Sequence, residues 1–240
     1  MLSVRLKKSK MRICGLQKVT LLDFPGHVAC TVFLGGCNFN CPFCYNASLI
    51  GSVDAEELMS SDEFFKYLNN RKGILDGVAI TGGEPLLHKE VKEFIQRIKN
   101  LGFKVKLDTN GSFPKVLKNL IDEQLVDYVA MDIKNTLDKY CLTVGCKINI
   151  EDIKESIQIL INSNIDYEFR TTIVKEYHSI DEFTKIGELI KGAKKYFLQC
   201  YQYRDSVREK TLNAMTKEEL TSCLEKVKPY VVYAALREID

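Results

Sequence analysis

Short apolar runs rich in β-branched residues recur along the chain, each followed by a longer stretch whose apolar positions fall three to four residues apart. Residues 28–34, 77–81, 103–108, 128–133, 167–174 and 196–201 are runs of the first kind and are predicted as strands. Residues 61–71, 88–101, 114–123, 151–162, 180–191 and 217–228 are of the second kind and are predicted as amphipathic helices. Ser60 or Ser61 is placed to cap the first helix and Thr216 the last, each with carboxylates in the following turn. Residues 231–236 form a candidate terminal strand. Strict strand–helix alternation predicts an α/β fold with a parallel sheet and helices outside it. Six such units are too few to close an eight-unit barrel, which leaves an open, partial barrel or a flat doubly wound sheet. No repeat, low-complexity tract or Pro/Gly/Ser linker interrupts the pattern, so residues 15–240 are predicted as a single domain. Residues 1–14 read as a basic N-terminal extension carrying Arg5, Lys7, Lys8, Lys10 and Arg12, with Met11 as an alternative start.

Gly-rich and acidic residues fall where the strands end: Gly35-Gly36-Cys37, Gly82-Gly83-Glu84 and Asp108-Thr109-Asn110. In parallel α/β folds that edge carries the chemistry.

Composition narrows the class. Thirty-four Lys and Arg against 32 Asp and Glu give a net charge of +2, which argues for neither nucleic-acid nor membrane binding. No apolar run approaches the roughly 20 residues that span a bilayer, and no secretory leader is legible, so a cytoplasmic location is expected. In such a compartment the nine cysteines are not expected to form disulfides.

Three of them crowd into Cys37-Asn38-Phe39-Asn40-Cys41-Pro42-Phe43-Cys44, a C-x3-C-x2-C spacing. Three thiolates on one loop can hold three irons of a cubane and leave the fourth open, whereas four would close the cluster as in an electron-transfer ferredoxin. An open position is what a metal needs to bind a substrate. Phe43 is placed to shield such a cluster or to lie against its ligand. A zinc site with His27 as fourth ligand is the competing reading. His88 and His178 sit in no constellation, and Cys14, Cys30, Cys141, Cys146, Cys200 and Cys223 lack a second compact spacing.

The C-x3-C-x-aromatic-C motif resembles the signature of the radical S-adenosylmethionine (SAM) superfamily. Residues 15–50, with Asp23-Phe24-Pro25-Gly26, Gly36-Cys37 and Cys44-Tyr45-Asn46, look like the activating enzymes of glycyl radical enzymes. They look most like those that activate anaerobic ribonucleoside-triphosphate reductases. Tyr45 stands where that family usually has histidine. The resemblance implies a partial (β/α)6 barrel in which Cys37, Cys41 and Cys44 hold a [4Fe–4S] cluster and SAM binds the unique iron. Phe43 and Tyr45 would flank the cofactors. Gly82-Gly83-Glu84 would recognise the methionyl amine, and Lys134 and Arg170 the SAM carboxylate or ribose. Asp108, Thr109, Asp132 and the Ala130 carbonyl would hold a monovalent cation. Gln202, or Gln199, would replace a histidine that often ends the sixth strand. The implied partners are a glycyl radical enzyme and a flavodoxin- or ferredoxin-type electron donor. The alternatives are an activase of the pyruvate formate-lyase type, a small-molecule enzyme such as 7-carboxy-7-deazaguanine synthase, and a plain electron carrier.

Overall fold

The structure, a computed structural model, describes residues 11–51 and 58–237. Eight strands form one sheet in sequential order: β1 (Ile13–Thr20), β2 (Ala29–Leu34), β3 (Gly77–Gly82), β4 (Lys104–Thr109), β5 (Tyr128–Asp132), β6 (Asp166–Ile173), β7 (Tyr196–Cys200) and β8 (Ala234–Arg237). β1 runs antiparallel to β2, and every later pair is parallel. Six βα units thus run from β2 onward, flanked by β1 on one side and β8 on the other. The helices are α1 (Ser61–Asn69), α2 (Val91–Asn100), α3 (Pro114–Asp122), α4 (Tyr140–Val144), α5 (Ile150–Ile161), α6 (Glu182–Leu189) and α7 (Lys217–Val227). This is the partial-barrel form of the α/β fold.

Local chemistry accounts for the element ends. Ser60 and Thr216 each close a capping box with Glu63 and Glu219, which satisfies donors that the first helical turn leaves free. Pro114 opens α3, where its missing N–H costs nothing. The outward faces of the strands and the inward stripes of the helices merge into one apolar core, with Val78, Ile80, Val105, Leu107, Val129 and Met131 fully buried.

The other face of the sheet is polar. Because side chains alternate along a strand, Lys106 and Asp108 of β4, Tyr128 and Asp132 of β5, and Glu168 and Arg170 of β6 share one side. Near the N-terminal strand ends, Glu168 accepts both Arg237 nitrogens (2.7 and 3.0 Å) and the Tyr128 hydroxyl (2.7 Å). Phe24, Ala29 and Tyr128 pack together there as a separate apolar plug.

The fold corrects the expected boundary after residue 14. Ile13 is fully buried, its carbonyl accepts the Met59 N–H, and the Arg12 carbonyl accepts that of Gly35. Residues 11–14 are therefore integral to the sheet. Residues 1–10, with most of the basic cluster, lie outside the described residues. Among the described residues no helix is long and apolar enough to cross a membrane. Ile13→Ala should lower stability by about 2–5 kcal/mol, as loss of a large buried aliphatic side chain does. Urea denaturation measures it, and a loss near zero would return these residues to a dispensable tail.

Candidate active site

The cysteine loop leaves β2 against the end of β3, held there by backbone bonds. Gly83 N–H donates to the Leu34 carbonyl (2.8 Å) and Glu84 N–H to the Gly36 carbonyl (2.9 Å). The Asn46 amide donates to the Gly82 carbonyl (2.8 Å), tying the far end of the loop to the same strand. This contact needs glycine. A Cβ at Gly83 would stand 1.9 Å from the Gly36 carbonyl oxygen, and one at Gly82 would stand 2.3 Å from that of Leu34.

Cys37, Cys41 and Cys44 all line one cavity, together with Phe43, Tyr45, Gly82, Gly83, Asp108, Thr109, Asp132, Lys134 and Arg170. Burial pushes the Cys37 thiol up to about 11 and the Cys41 thiol to about 12, and it raises Cys44 as well. The Lys134 ammonium works against that on all three. Cys37 Sγ also accepts the Phe39 N–H (3.4 Å) and faces the Asn110 amide (3.9 Å). Such thiols are poor free nucleophiles at neutral pH, because the thiolate is the reactive form. A metal that displaces their protons is the ligand they suit.

A chain of alternating charge crosses the cavity wall. Lys106 Nζ meets Asp108 Oδ1 at 2.5 Å, and Asp108 Oδ2 lies 3.4 Å from Arg170 Nη1. Arg170 Nε donates to Asp132 Oδ1 (3.0 Å), and Lys134 Nζ to Asp132 Oδ2 (3.0 Å). Burial raises the Asp132 carboxyl, but Arg170 and Lys134 outweigh it and hold the group down at about 2. Asp108 is held low by Arg170 and Lys106 against the same burial. The register places Asp132 directly beside Arg170, so two neighbouring strands set this geometry.

One expectation needs correction. The Glu84 carboxylate does not face the cavity. It is fully buried and accepts from Asn110 N–H (2.6 Å), Leu86 N–H (3.0 Å) and the Thr109 hydroxyl (2.9 Å), so it joins the ends of β3 and β4. Of the residues expected to hold a monovalent cation, Asp108, Thr109, Ala130 and Asp132, the side-chain oxygens are already engaged within the protein. Both carboxylates already carry protein cations, and the Thr109 hydroxyl is engaged by Glu84 and by Gly111 N–H. Of the two glutamines expected here, Gln199 lines the cavity and Gln202 does not: β7 ends at Cys200, and Gln202 donates its backbone N–H to the Tyr45 hydroxyl (2.8 Å).

His27 cannot join the cysteines. It packs on Phe24 at the opposite end of β2, about 20 Å of strand away. Among the described residues no three His, Cys, Asp or Glu side chains converge as a single-ion site. Sequence reasoning missed Lys106, and it placed Asn110 at the strand edge without its role of joining Glu84 to Cys37. It also missed that His178 is buried beneath the site and meets the Lys134 carbonyl through Nε2 (2.8 Å). The one available signal for Lys106 was charge at alternate positions of one strand, Lys104, Lys106 and Asp108, with Val105 and Leu107 between them.

Residues 31–190 match the model of the family described as the radical SAM superfamily. The chain belongs to that superfamily. It is 32% identical over 238 residues to a Methanocaldococcus jannaschii protein named "Putative glycyl-radical enzyme activating enzyme MJ1227", covering 96% of this chain and 98% of that one. It is 28% identical to the GTP 3′,8-cyclase of Helicobacter pylori, covering 76% of this chain but only 57% of the cyclase. The structure of Streptococcus suis SuiB bound to S-adenosylmethionine superposes with a TM-score of 0.64 at 15% identity, over 85% of this chain and 48% of SuiB, a likeness of fold.

This is a radical SAM enzyme, and radical SAM enzymes use a [4Fe–4S] cluster and SAM. The donor set fits them. Three thiols with N–H groups aimed at a sulfur share a cavity with a guanidinium and an ammonium suited to a carboxylate.

The Glu84 site makes a testable pH dependence. Burial raises its carboxyl from 4.5 to about 7, against the pull of Asn110, Leu86 and Thr109. The folded state therefore holds this proton longer than the unfolded state, and stability falls as pH rises between those values. Glu84→Gln cannot titrate, so the stability advantage of wild type over the variant should shrink by roughly 3 kcal/mol between about pH 4.5 and 7. Urea denaturation across that range measures it, and a constant difference would contradict the assignment.

Proposed function

We propose that this radical SAM enzyme generates a glycyl radical on a partner protein, an anaerobic ribonucleoside-triphosphate reductase. The observation that carries the reading is the combination of a three-thiol cavity with near full-length similarity to the glycyl-radical activating relative. The likeness of residues 15–50 to reductase activators favours that partner over a pyruvate formate-lyase type.

In this reading Cys37, Cys41 and Cys44 hold the cluster and leave one iron for SAM. With both bound, the cluster would supply reductive cleavage of SAM: an electron from a flavodoxin- or ferredoxin-type donor would yield methionine and a 5′-deoxyadenosyl radical able to take a hydrogen atom from a glycine Cα. The chain's own residues orient the reactants. Lys134 and Arg170 face the SAM carboxylate as charged donors. The backbone at Gly82 and Gly83 accepts the methionyl ammonium, while Glu84 keeps that backbone in place. Phe43, packed on Tyr177 (5.7 Å between centroids), and Tyr45, stacked on Tyr201 (6.1 Å), wall the cavity and exclude water. Glycine suits the substrate position because it presents no side chain to block approach. The single sheet that runs from residue 13 to residue 237 supports one domain for the described part of the chain.

Anaerobic reconstitution should load about four irons and four sulfides per chain, one cubane. Alanine at Cys37, Cys41 or Cys44 should abolish both loading and SAM cleavage, while Cys141→Ala and Cys223→Ala should retain them. Iron and sulfide analysis decides this, and full loading of Cys41→Ala would overturn the ligand set. For the partner, a peptide copied from a reductase's glycine loop and deuterated at Cα should pass its label into 5′-deoxyadenosine, read by mass spectrometry. If no label transfers while a purine nucleotide is consumed, a small-molecule reaction replaces the activase reading.

A further inference from the structure

We propose that Lys106 is the built-in counter-cation of the SAM cavity, a positioning residue that does for Asp108 what a bound monovalent ion would otherwise have to do. The inference rests on the reading of this cavity as the SAM site. Lys106 does not line the cavity, and its side chain is 4% exposed, so it does not touch the ligand. Its Nζ instead holds Asp108 Oδ1 at 2.5 Å. The other Asp108 oxygen faces Arg170 Nη1 at 3.4 Å, while Arg170 Nε makes the closer contact, 3.0 Å, to Asp132. Arg170 does line the cavity.

The order of charge along this chain is therefore Lys106 (+), Asp108 (−), Arg170 (+), Asp132 (−), Lys134 (+). Take Lys106 away and two carboxylates are left to share Arg170. Asp108 then draws the guanidinium inward, away from Asp132 and from the cavity. A half-buried carboxylate at the cavity wall with half a partner would also recruit a cation from solution, because a charge held partly out of water without a partner is costly. With Lys106 present the positive charge is covalently supplied, and the site is independent of inorganic cations.

The test uses Lys106→Ala, first as protein without cluster and then as reconstituted protein with SAM. Thermal unfolding of the wild type without cluster should be the same in sodium, potassium, methylammonium and choline chlorides at equal ionic strength. The variant in choline should unfold roughly 6–20 °C lower, the loss expected on breaking a buried pair in a chain of this size. Methylammonium, the head group removed, should recover part of that loss. In the reconstituted variant, SAM should bind about 10- to 100-fold more weakly, again with recovery by methylammonium. A merely structural lysine would show neither cation-specific recovery. If Lys106→Ala does not fold, Lys106→Met/Asp108→Asn removes both charges and should fold with no cation response. The proposal is overturned if wild-type stability itself rises with sodium or potassium over choline, or if Lys106→Ala binds SAM as tightly as wild type. The measurement without cluster involves neither SAM nor a partner, so it can fail while the proposed function stands.

Discussion

Two carboxylates on the inner face of adjacent strands, at the mouth of a partial barrel, are the constraint around which this molecule is built. Taken out of bulk water, Asp108 and Asp132 stay ionised only if cations meet them closely. Arg170 from β6 spans both, Lys134 covers the outer oxygen of Asp132, and Lys106 covers the inner oxygen of Asp108. Three cations against two carboxylates leave this wall with a net positive charge, and Lys134 passes that charge to the three thiols. The parallel register makes the arrangement available: Asp108 lies beside Ala130, and Asp132 beside Arg170, so opposite charges rather than like ones become neighbours.

The cysteine loop depends on a second close fit at the same edge. Gly83 lets β3 approach the Gly36 carbonyl, and the buried Glu84 carboxylate binds the next turn to Asn110 of the β4 end. Asn110 in turn faces Cys37, so the two motifs, the glutamate and the thiol are joined in one bonded path. On the far side, Gln202 N–H meets the Tyr45 hydroxyl and the Glu209 N–H meets the Pro42 carbonyl, so the segment after β7 also braces the loop. Placing three cysteines in eight residues thus takes support from β2, β3, β4 and β7 together.

Much of this was legible in the sequence because the core-facing positions of the parallel strands are apolar and often β-branched, and six such short runs stood out. The Cys37–Cys41–Cys44 spacing and the glycines of β3 were equally plain. β1 was not legible: its residues Gly15, Gln17 and Lys18 break the apolar pattern, since the exposed middle of an antiparallel edge strand has no core to satisfy. α4, five residues long, is too short to display a period. Glu84 was assigned to the ligand because a motif fixes the order of residues but not the direction of a side chain. Lys106 went unnoticed because a lysine two residues before an aspartate reads as a solvated strand end until the barrel closes over it. A shift of three residues at the end of β7 separated Gln202 from Gln199, within the ordinary error of placing an element's end.

If the three thiols and this charge wall form one site in which SAM meets an open iron, binding of SAM must alter the cluster's surroundings. Electron paramagnetic resonance of the anaerobically reduced protein, recorded before and after SAM is added, tests it most directly. The cluster signal should change on addition, and the change should be lost when Arg170 is replaced by leucine in protein with an intact cluster. A signal unaltered by saturating SAM in wild-type protein would contradict it.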